Sequence, residues 1–181
     1  MTFWPRFMEW LRRQSPDLPK TFPPAPAPAP RVLMQGEHEV HEIVLHTTAT
    51  GADWWKGKSA QQMVDEVRGW HKRQGWKDIG YHYLIAPDGS GAQGRPFTVQ
   101  GSHVKERNRG TIGIVLVPVA EVDPHRIRTF GDYYTDAQRW ALKRKIRAIS
   151  AMTRIDRVTG HNDFTRMKTC PGFYVKDEDW L

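Results

Sequence analysis

The sequence predicts an α/β fold in which a mixed central β-sheet is flanked by α-helices. Short apolar runs, IVLH at 43–46 and TIGIVLV at 111–117, have the length and composition of buried strands. Two longer stretches, at 59–76 and 135–152, repeat apolar residues at helical spacing. Strands that alternate along a chain with long helices favour a sheet with helices packed on its faces.

The first predicted elements are a strand and a helix. EVHEIVLHTT, at 39–48, alternates polar and apolar residues and then becomes apolar, which predicts a strand that ends at His46. The helix at 59–76 opens with Ser59 and Gln62, which have the spacing of a capping box.

The remaining elements follow without an internal repeat. YHYLIAPDGSGAQGR, at 81–95, predicts a strand, a turn at 87–91 and a partner strand. GTIGIVLVPV, at 110–119, is apolar and long enough to lie centrally in the sheet. The helix at 135–152 begins with a second capping box, and the short strand DRVTG follows at 156–160.

The N-terminal part of the chain has a different composition. FPPAPAPAPR, at 22–31, alternates proline with alanine and predicts an extended linker that precedes the main domain, residues 32–181. Residues 1–21 contain apolar side chains on one helical face: Phe3, Trp4, Phe7, Met8 and Leu11. This pattern predicts a short amphipathic segment that docks on a protein partner, a membrane surface or its own domain. A poorly ordered terminus is the alternative that the pattern leaves open.

Composition excludes several classes of protein. No apolar segment approaches the roughly 20 residues of a transmembrane helix, and the first thirty residues do not resemble a secretory signal. The chain has one cysteine, Cys170, so it cannot form an intrachain disulfide, and we expect a protein kept in a reducing cytoplasm. The 27 Lys and Arg against 20 Asp and Glu give a net charge of +7. This charge favours binding to nucleic acid, anionic lipid or bacterial wall polymer, but it does not indicate which of the three is bound.

Cys170 belongs to a group of residues that could bind a metal. It follows His161 by nine positions, and His46 stands at the end of a strand more than one hundred residues earlier. Loops at one edge of a sheet could bring these side chains together. Zinc accepts nitrogen and sulfur ligands in a tetrahedral arrangement, and three protein ligands leave a fourth position for water, as in catalytic zinc sites. The spacing alone leaves open that Cys170 is a small buried apolar residue.

Several stretches together resemble a known family. The stretches are IVLHTTAT at 43–50, WHKRQGWKDIGYHYLIAPDG at 70–89, GSHVKERNRGTIGIVLV at 101–117, and GHNDF with KTCPGF at 160–173. In this order they resemble the zinc-dependent N-acetylmuramoyl-L-alanine amidases, a family that includes the small amidase-type bacteriophage lysozymes, the muropeptide-recycling amidases and the peptidoglycan recognition proteins. The resemblance covers roughly 40–173 and is strongest with the phage lysozymes. It implies an amidase and peptidoglycan recognition protein fold, with residues 32–181 as a zinc amidase catalytic domain.

The resemblance also implies a site. His46, His161 and Cys170 match the ligands of one zinc ion per chain, and Tyr81 and Lys168 match the family's catalytic tyrosine and lysine. Zinc makes water nucleophilic near neutral pH and polarises the scissile carbonyl. Lys168 would help to stabilise the oxyanion, and Tyr81 would orient the water or relay a proton.

Two further residues and two segments complete the comparison with the family. His103 and Asn108 align with cleft-lining positions, which predicts that they bind substrate, although a turn-stabilising role is the alternative.

Two segments differ from the family pattern. Residues 1–39 have no counterpart in the smallest phage enzymes, and VPVAEVDPHRIRTFGDYY, at 117–134, replaces a shorter connection. We expect these departures to affect partners and substrate trimming rather than the chemistry.

The leading hypothesis is a phage or prophage endolysin that cleaves the amide bond between N-acetylmuramic acid and L-alanine. We expect a monomer that acts on bacterial peptidoglycan, does not bind nucleic acid, and stays in the host cytoplasm until it is released to the wall. One alternative is a cytoplasmic muropeptide-recycling amidase. Another is a non-catalytic peptidoglycan-binding protein, which the retention of His46, His161, Cys170 and Tyr81 disfavours. A regulatory protein that binds a partner through its basic surface or its N-terminal segment stays open as a third alternative.

Overall fold

The computed structural model describes residues 32–165 and 167–181, so the predictions for residues 1–21 and 22–31 lie outside the described residues. Its strands and α-helices are β1 Met34–Gln35, β2 His38–Glu39, β3 Glu42–Thr47, α1 Ala60–Arg73, β4 Tyr83–Ile85, β5 Gly91–Gln93, β6 Thr111–Leu116, α2 Phe130–Tyr133, α3 Asp136–Ser150 and β7 Arg157–Gly160. In this part of the chain, no helix combines the length and apolarity needed to cross a lipid bilayer.

Five of these strands form one mixed sheet in the order β5-β4-β6-β3-β7. β4, β6, β3 and β7 run parallel, and β5 pairs antiparallel with β4. β6 lies in the middle, as its apolar sequence predicts. β1 and β2 form a separate antiparallel pair. The predicted mixed sheet with flanking helices is confirmed.

The two faces of the sheet bury different side chains against different helices. Leu45 of β3 belongs to the apolar cluster that contains Ile146 of α3. Val115 of β6 belongs to a second cluster with Met63 and Val64 of α1. Each such buried side chain stabilises the fold by about 1.5–3 kcal/mol relative to an exposed one. Because successive strand residues point to opposite faces, the residue after Leu45 is directed to the α1 side of the sheet.

Both long helices begin at the predicted capping boxes. In α1, the N–H of Gln62 donates to Oγ of Ser59 at 3.2 Å, and the Gln62 side chain accepts from the Ser59 N–H at 2.8 Å. In α3, Gln138 and Thr135 make the same pair of bonds at 3.1 and 3.0 Å. The reciprocal bonds satisfy backbone donors that have no partner inside a helix.

The structure corrects the predicted ends of one helix and one strand. α1 ends at Arg73, before the predicted end at residue 76, because Gly75 adopts a φ of 86°, a left-handed conformation that stops a helix. β3 continues one residue past the predicted end, to Thr47. The sequence did not predict the short helix α2 or the β1–β2 pair, which are too short to show a periodicity.

Candidate functional site

The two predicted histidine ligands lie side by side at one edge of the sheet. β3 and β7 run parallel, and Leu45 pairs with Gly160 in their register. The next residue in each case is a histidine, so His46 and His161 reach the same edge together. Their ring centroids are 4.9 Å apart. Parallel pairing of two strands therefore brings together residues that are far apart in the sequence.

Cys170 reaches this edge from the loop that follows His161. The backbone N–H of Thr47 donates a hydrogen bond to the Cys170 Sγ at 3.3 Å, and the N–H of Asn162 donates to the Cys170 carbonyl at 2.7 Å. The sulfur lies 3.8 Å from Nδ1 of His46. The ligand atoms of the three predicted zinc ligands all lie within 4.8 Å of one another. The structure therefore brings the predicted metal-binding residues together.

The segment at 117–134 supports the Cys170 loop. Three hydrogen bonds join the two segments: from Thr169 Oγ1 to the Asp123 carbonyl at 2.9 Å, from the Tyr134 phenol to the Pro171 carbonyl at 2.7 Å, and from the Arg128 N–H to the Gly172 carbonyl at 2.8 Å. These bonds hold the backbone on both sides of the thiol. The segment thus helps to position one of the predicted ligands.

The three side chains fit zinc. Two imidazole nitrogens and one sulfur are a donor set that zinc accepts, and tetrahedral bonds of about 2.0–2.3 Å place neighbouring ligand atoms about 3.3–3.6 Å apart. The distance of 3.8 Å between the Cys170 sulfur and the His46 nitrogen is close to this value. Within residues 32–165 and 167–181, no second group of three His, Cys, Asp or Glu side chains is close enough to share an ion.

Burial sets the protonation of the three side chains. It lowers the pKa of His46 well below its usual value, and with the charge of Lys168 it lowers the pKa of His161 to about 4. Both imidazoles are therefore neutral at pH 7 and each keeps a lone pair. Burial raises the pKa of the Cys170 thiol to about 11, against the opposing effects of the Thr47 N–H and Lys168. A metal that binds at neutral pH would therefore displace the thiol proton.

Tyr81 lies two residues before β4 and packs beside His46. Its ring centroid is 5.1 Å from that of His46, and the ring packs against the apolar cluster on the α1 side of the sheet. Burial and the nearby sulfur of Cys170 raise the pKa of Tyr81 above its usual value. The phenol is therefore neutral at pH 7, and a neutral phenol can both donate and accept a hydrogen bond.

A cavity of about 550 Å³ opens beside the metal-binding group. It is lined by Trp76, Ser102, His103, Val104, Lys105, Asn108, His161, Phe164, Thr165 and Lys168. The side chain of Lys168 is exposed, and its charge acts on the pKa of both His161 and Cys170. An ammonium group and one predicted metal ligand therefore border the same space.

His103 and Asn108 also lie at this cavity, but both ring nitrogens of His103 and the Oδ1 of Asn108 are engaged within the protein. The Asn108 Oδ1 accepts hydrogen bonds from the N–H groups of His103 and Val104 at 2.7 and 2.9 Å, which stabilises the turn between them. His103 is buried, with 7% of its surface exposed, and its Nδ1 lies 3.1 Å from Nε2 of His46. Their predicted contact with substrate stays a prediction.

The sequence did not identify Trp76, Lys105 and Phe164 as cavity residues. They lie at a helix end or in loops, whose path no periodicity sets. Nor did it identify the hydroxyl of Thr111 as a partner of the His103 ring, at 3.3 Å. The glycines of GSH and GTIGI could have indicated that the backbone lies close to another group here, because an isolated glycine beside or inside a strand often marks such a close approach.

Comparison with known proteins finds endolysins, amidases and peptidoglycan recognition proteins. The endolysin of Klebsiella phage KP32 is 33% identical to this chain over 146 residues, which cover 81% of this chain and 89% of the phage protein. The N-acetylmuramoyl-L-alanine amidase LysC from Clostridium intestinale URNW is 27% identical, with a TM-score of 0.58 over 77% of this chain and 80% of LysC. Wild-type Drosophila PGRP-LB, at 24% identity, shares the fold with a TM-score of 0.62 over 81% of this chain and 83% of its own.

The sequence profile of the N-acetylmuramoyl-L-alanine amidase family matches residues 36–173, which is most of the chain. The match includes β3, β7, the cavity and the whole group of predicted ligands. This chain is a member of the N-acetylmuramoyl-L-alanine amidase family.

Proposed function

We propose that this protein is a zinc-dependent amidase that hydrolyses the bond between N-acetylmuramic acid and L-alanine in bacterial peptidoglycan. The convergence of His46, His161 and Cys170 carries the proposal, because their ligand atoms lie within 4.8 Å of one another beside a cavity of about 550 Å³. Membership of the amidase family supports peptidoglycan as the substrate.

His46, His161 and Cys170 would hold one zinc ion. When bound, zinc supplies Lewis acidity that polarises the amide carbonyl and makes water nucleophilic at neutral pH. The cavity reaches this group at His161, so a substrate amide in the cavity would lie next to the ligands.

Tyr81 holds or moves a proton at its phenol oxygen. The ring of the neutral phenol packs against His46, with 5.1 Å between ring centroids, so the phenol lies beside a predicted ligand. It either orients the attacking water or relays a proton during cleavage. Removing the phenol oxygen alone should leave the ligands in place while slowing the reaction.

Lys168 supplies positive charge where negative charge develops. Its ammonium group borders the cavity, and its charge acts on His161 and Cys170. An ammonium in this position stabilises the carbonyl oxygen as it becomes an oxyanion. The sugar or peptide on either side of the scissile bond would extend along the cavity past His103 and Asn108.

The biological role that we favour is that of an endolysin. The phage KP32 protein, to which this chain is similar over most of its length, is named an endolysin. Such an enzyme would remain in the host cytoplasm until the membrane is opened and would then act on the wall as a monomer. The segment 1–21 would dock on a protein partner or on a membrane surface.

The test compares two substrates: intact peptidoglycan sacculi and soluble anhydromuropeptides. An endolysin releases free amine from sacculi, whereas activity on the soluble fragments alone would indicate a recycling amidase. A strong chelator should abolish both activities and added zinc should restore them. Protein purified without added metal should contain one zinc per chain. Absence of hydrolysis on both substrates in the zinc-loaded protein would indicate a binding or regulatory role instead.

A further inference from the structure

A chain of buried hydrogen bonds extends from His46 away from the predicted metal. Nε2 of His46 lies 3.1 Å from Nδ1 of His103. Nε2 of His103 lies 3.3 Å from the hydroxyl of Thr111, and this hydroxyl donates to the carbonyl of Arg107 at 3.0 Å. His46, His103 and Thr111 are all buried.

Thr111, the last residue in this series of hydrogen bonds, determines which nitrogen carries the proton in each of the two imidazole rings. The hydroxyl hydrogen of Thr111 is used by the Arg107 carbonyl, so the Thr111 oxygen can only accept from the His103 ring. A neutral imidazole has one nitrogen that donates and one that accepts. If Nε2 of His103 donates, its Nδ1 accepts, and the proton between the two rings must belong to Nε2 of His46. The bare nitrogen of His46 is then Nδ1, which lies 3.8 Å from the Cys170 sulfur.

The His103 ring has little freedom to turn out of this arrangement. A Cβ at Gly113 would lie 2.6–2.9 Å from three atoms of the ring, and a Cβ at Gly101 would lie 2.6 Å from its Cδ2. These distances are shorter than van der Waals contact, so only glycine at both positions leaves room for the ring. The backbone N–H of His103 is held by Asn108 at 2.7 Å.

We propose that His103 and Thr111 form a relay that locks His46 in the tautomer with a bare Nδ1 and orients that nitrogen toward the metal. His103 is then a positioning residue, because both of its ring nitrogens contact protein atoms and only its ring edge could touch substrate. The proposal rests on the proposed zinc site, in which a ligand histidine needs a partner for its other ring nitrogen.

The first test reads the tautomers directly in the metal-free full-length protein. Long-range proton–nitrogen NMR of ¹⁵N-labelled protein, with a chelator present, should show His46 protonated at Nε2 and bare at Nδ1, with His103 in the same state. A proton on Nδ1 of His46 would overturn the relay. This result is independent of zinc and of activity, so it stands even if the proposed amidase function fails.

The second test compares two variants of nearly equal shape. In His103→Asn, a side-chain oxygen can occupy the place of Nδ1 and accept from His46, whereas His103→Leu offers no acceptor. Zinc affinity, measured by competition with a chromophoric chelator, should fall about 10–100-fold in the leucine variant and only a few-fold in the asparagine variant. Equal affinities in the two variants would contradict the relay. If wild-type protein bound no zinc, the proposed function would fail and the tautomer measurement would still decide the relay.

Thr111→Val provides a check should His103→Leu fail to fold. It keeps both rings and removes only the acceptor at the end of the chain. His103 in this variant should populate both tautomers in the NMR spectrum, and zinc affinity should fall. Unchanged tautomers in Thr111→Val would show that Thr111 does not set the proton positions.

Discussion

His82 provides a test of how the buried polar groups behind the site affect stability. It is fully buried, and its ring centroid lies 5.6 Å from that of His103. Its Nδ1 accepts from the N–H of Gly113 at 2.9 Å, so its Nε2–H donates to the Val99 carbonyl at 3.0 Å. Burial lowers the pKa of His82 from 6.5 to about 4; the bond to Val99 opposes this shift and the charge of Arg95 adds to it.

The sign of the pH effect follows from this lowered pKa. The unfolded chain binds the proton of His82 more readily than the folded chain does. The contribution of neutral His82 to the unfolding free energy is therefore complete above about pH 6.5 and is lost as the pH falls toward 4. The change in pKa corresponds to roughly 3 kcal/mol at about 1.36 kcal/mol per pKa unit. Roughly 2.5 kcal/mol of this is lost between about pH 7.5 and about pH 4.5.

Urea unfolding of wild-type protein and His82→Gln at these two pH values, in the presence of a chelator, measures the effect. Glutamine can still donate to Val99 but does not titrate. The loss of unfolding free energy on acidification should be smaller in the variant by roughly 2.5 kcal/mol. Ile149→Ala, which weakens the core elsewhere without removing a titrating group, should keep the wild-type loss. An acid-induced loss in His82→Gln equal to that of wild type would refute the reasoning.

Three further predictions concern the metal ligand, the catalytic residues and the N-terminal part. In Cys170→Ala, zinc content and hydrolysis should fall together, since one of three protein ligands is lost; full zinc content by metal analysis would contradict the ligand assignment. Tyr81→Phe and Lys168→Ala should both keep zinc and the folded state, while turnover falls by ~10²-fold or more. In Lys168→Ala the loss should appear in kcat. Full turnover in both variants would rule out the catalytic roles. Deletion of residues 1–30 should leave the unfolding free energy and the cleavage of soluble muropeptides unchanged, because the linker that the sequence predicts at 22–31 would transmit little packing energy; a large loss of stability would show that this part packs on the domain.

The sequence predicted the scaffold of the site because local rules were sufficient there. The capping boxes at Ser59 and Thr135 fixed the starts of both long helices. The apolar runs located the central strands, and once β3 and β7 pair in parallel, the place of His46 beside His161 follows from the register. Cys170 lies outside any strand or α-helix, and only its resemblance to a family motif indicated that it joins them.

Other features depend on contacts between segments that are distant in the sequence. The contact between His46 and His103 depends on two glycines that leave space for the His103 ring; the glycines in the sequence indicate a close approach but not which side chain makes it. On α3, Arg139 and Lys143 lie over the rings of Phe130 and Trp180, with distances of 4.3 and 5.9 Å from the charged group to the ring centroid, and these are contacts that no local pattern predicts. The support that residues 117–134 give to the Cys170 loop is likewise a tertiary contact.

Mass analysis of digested peptidoglycan tests the central claim most directly. Purified sacculi treated with the zinc-loaded protein should yield peptides with a free L-alanine amine and glycan chains with free lactyl carboxyl groups. Tyr81→Phe protein, treated in parallel, should give far less of the same products. Cleaved glycan chains with the N-acetylmuramic acid to L-alanine bond intact would contradict the assignment of this protein as an amidase.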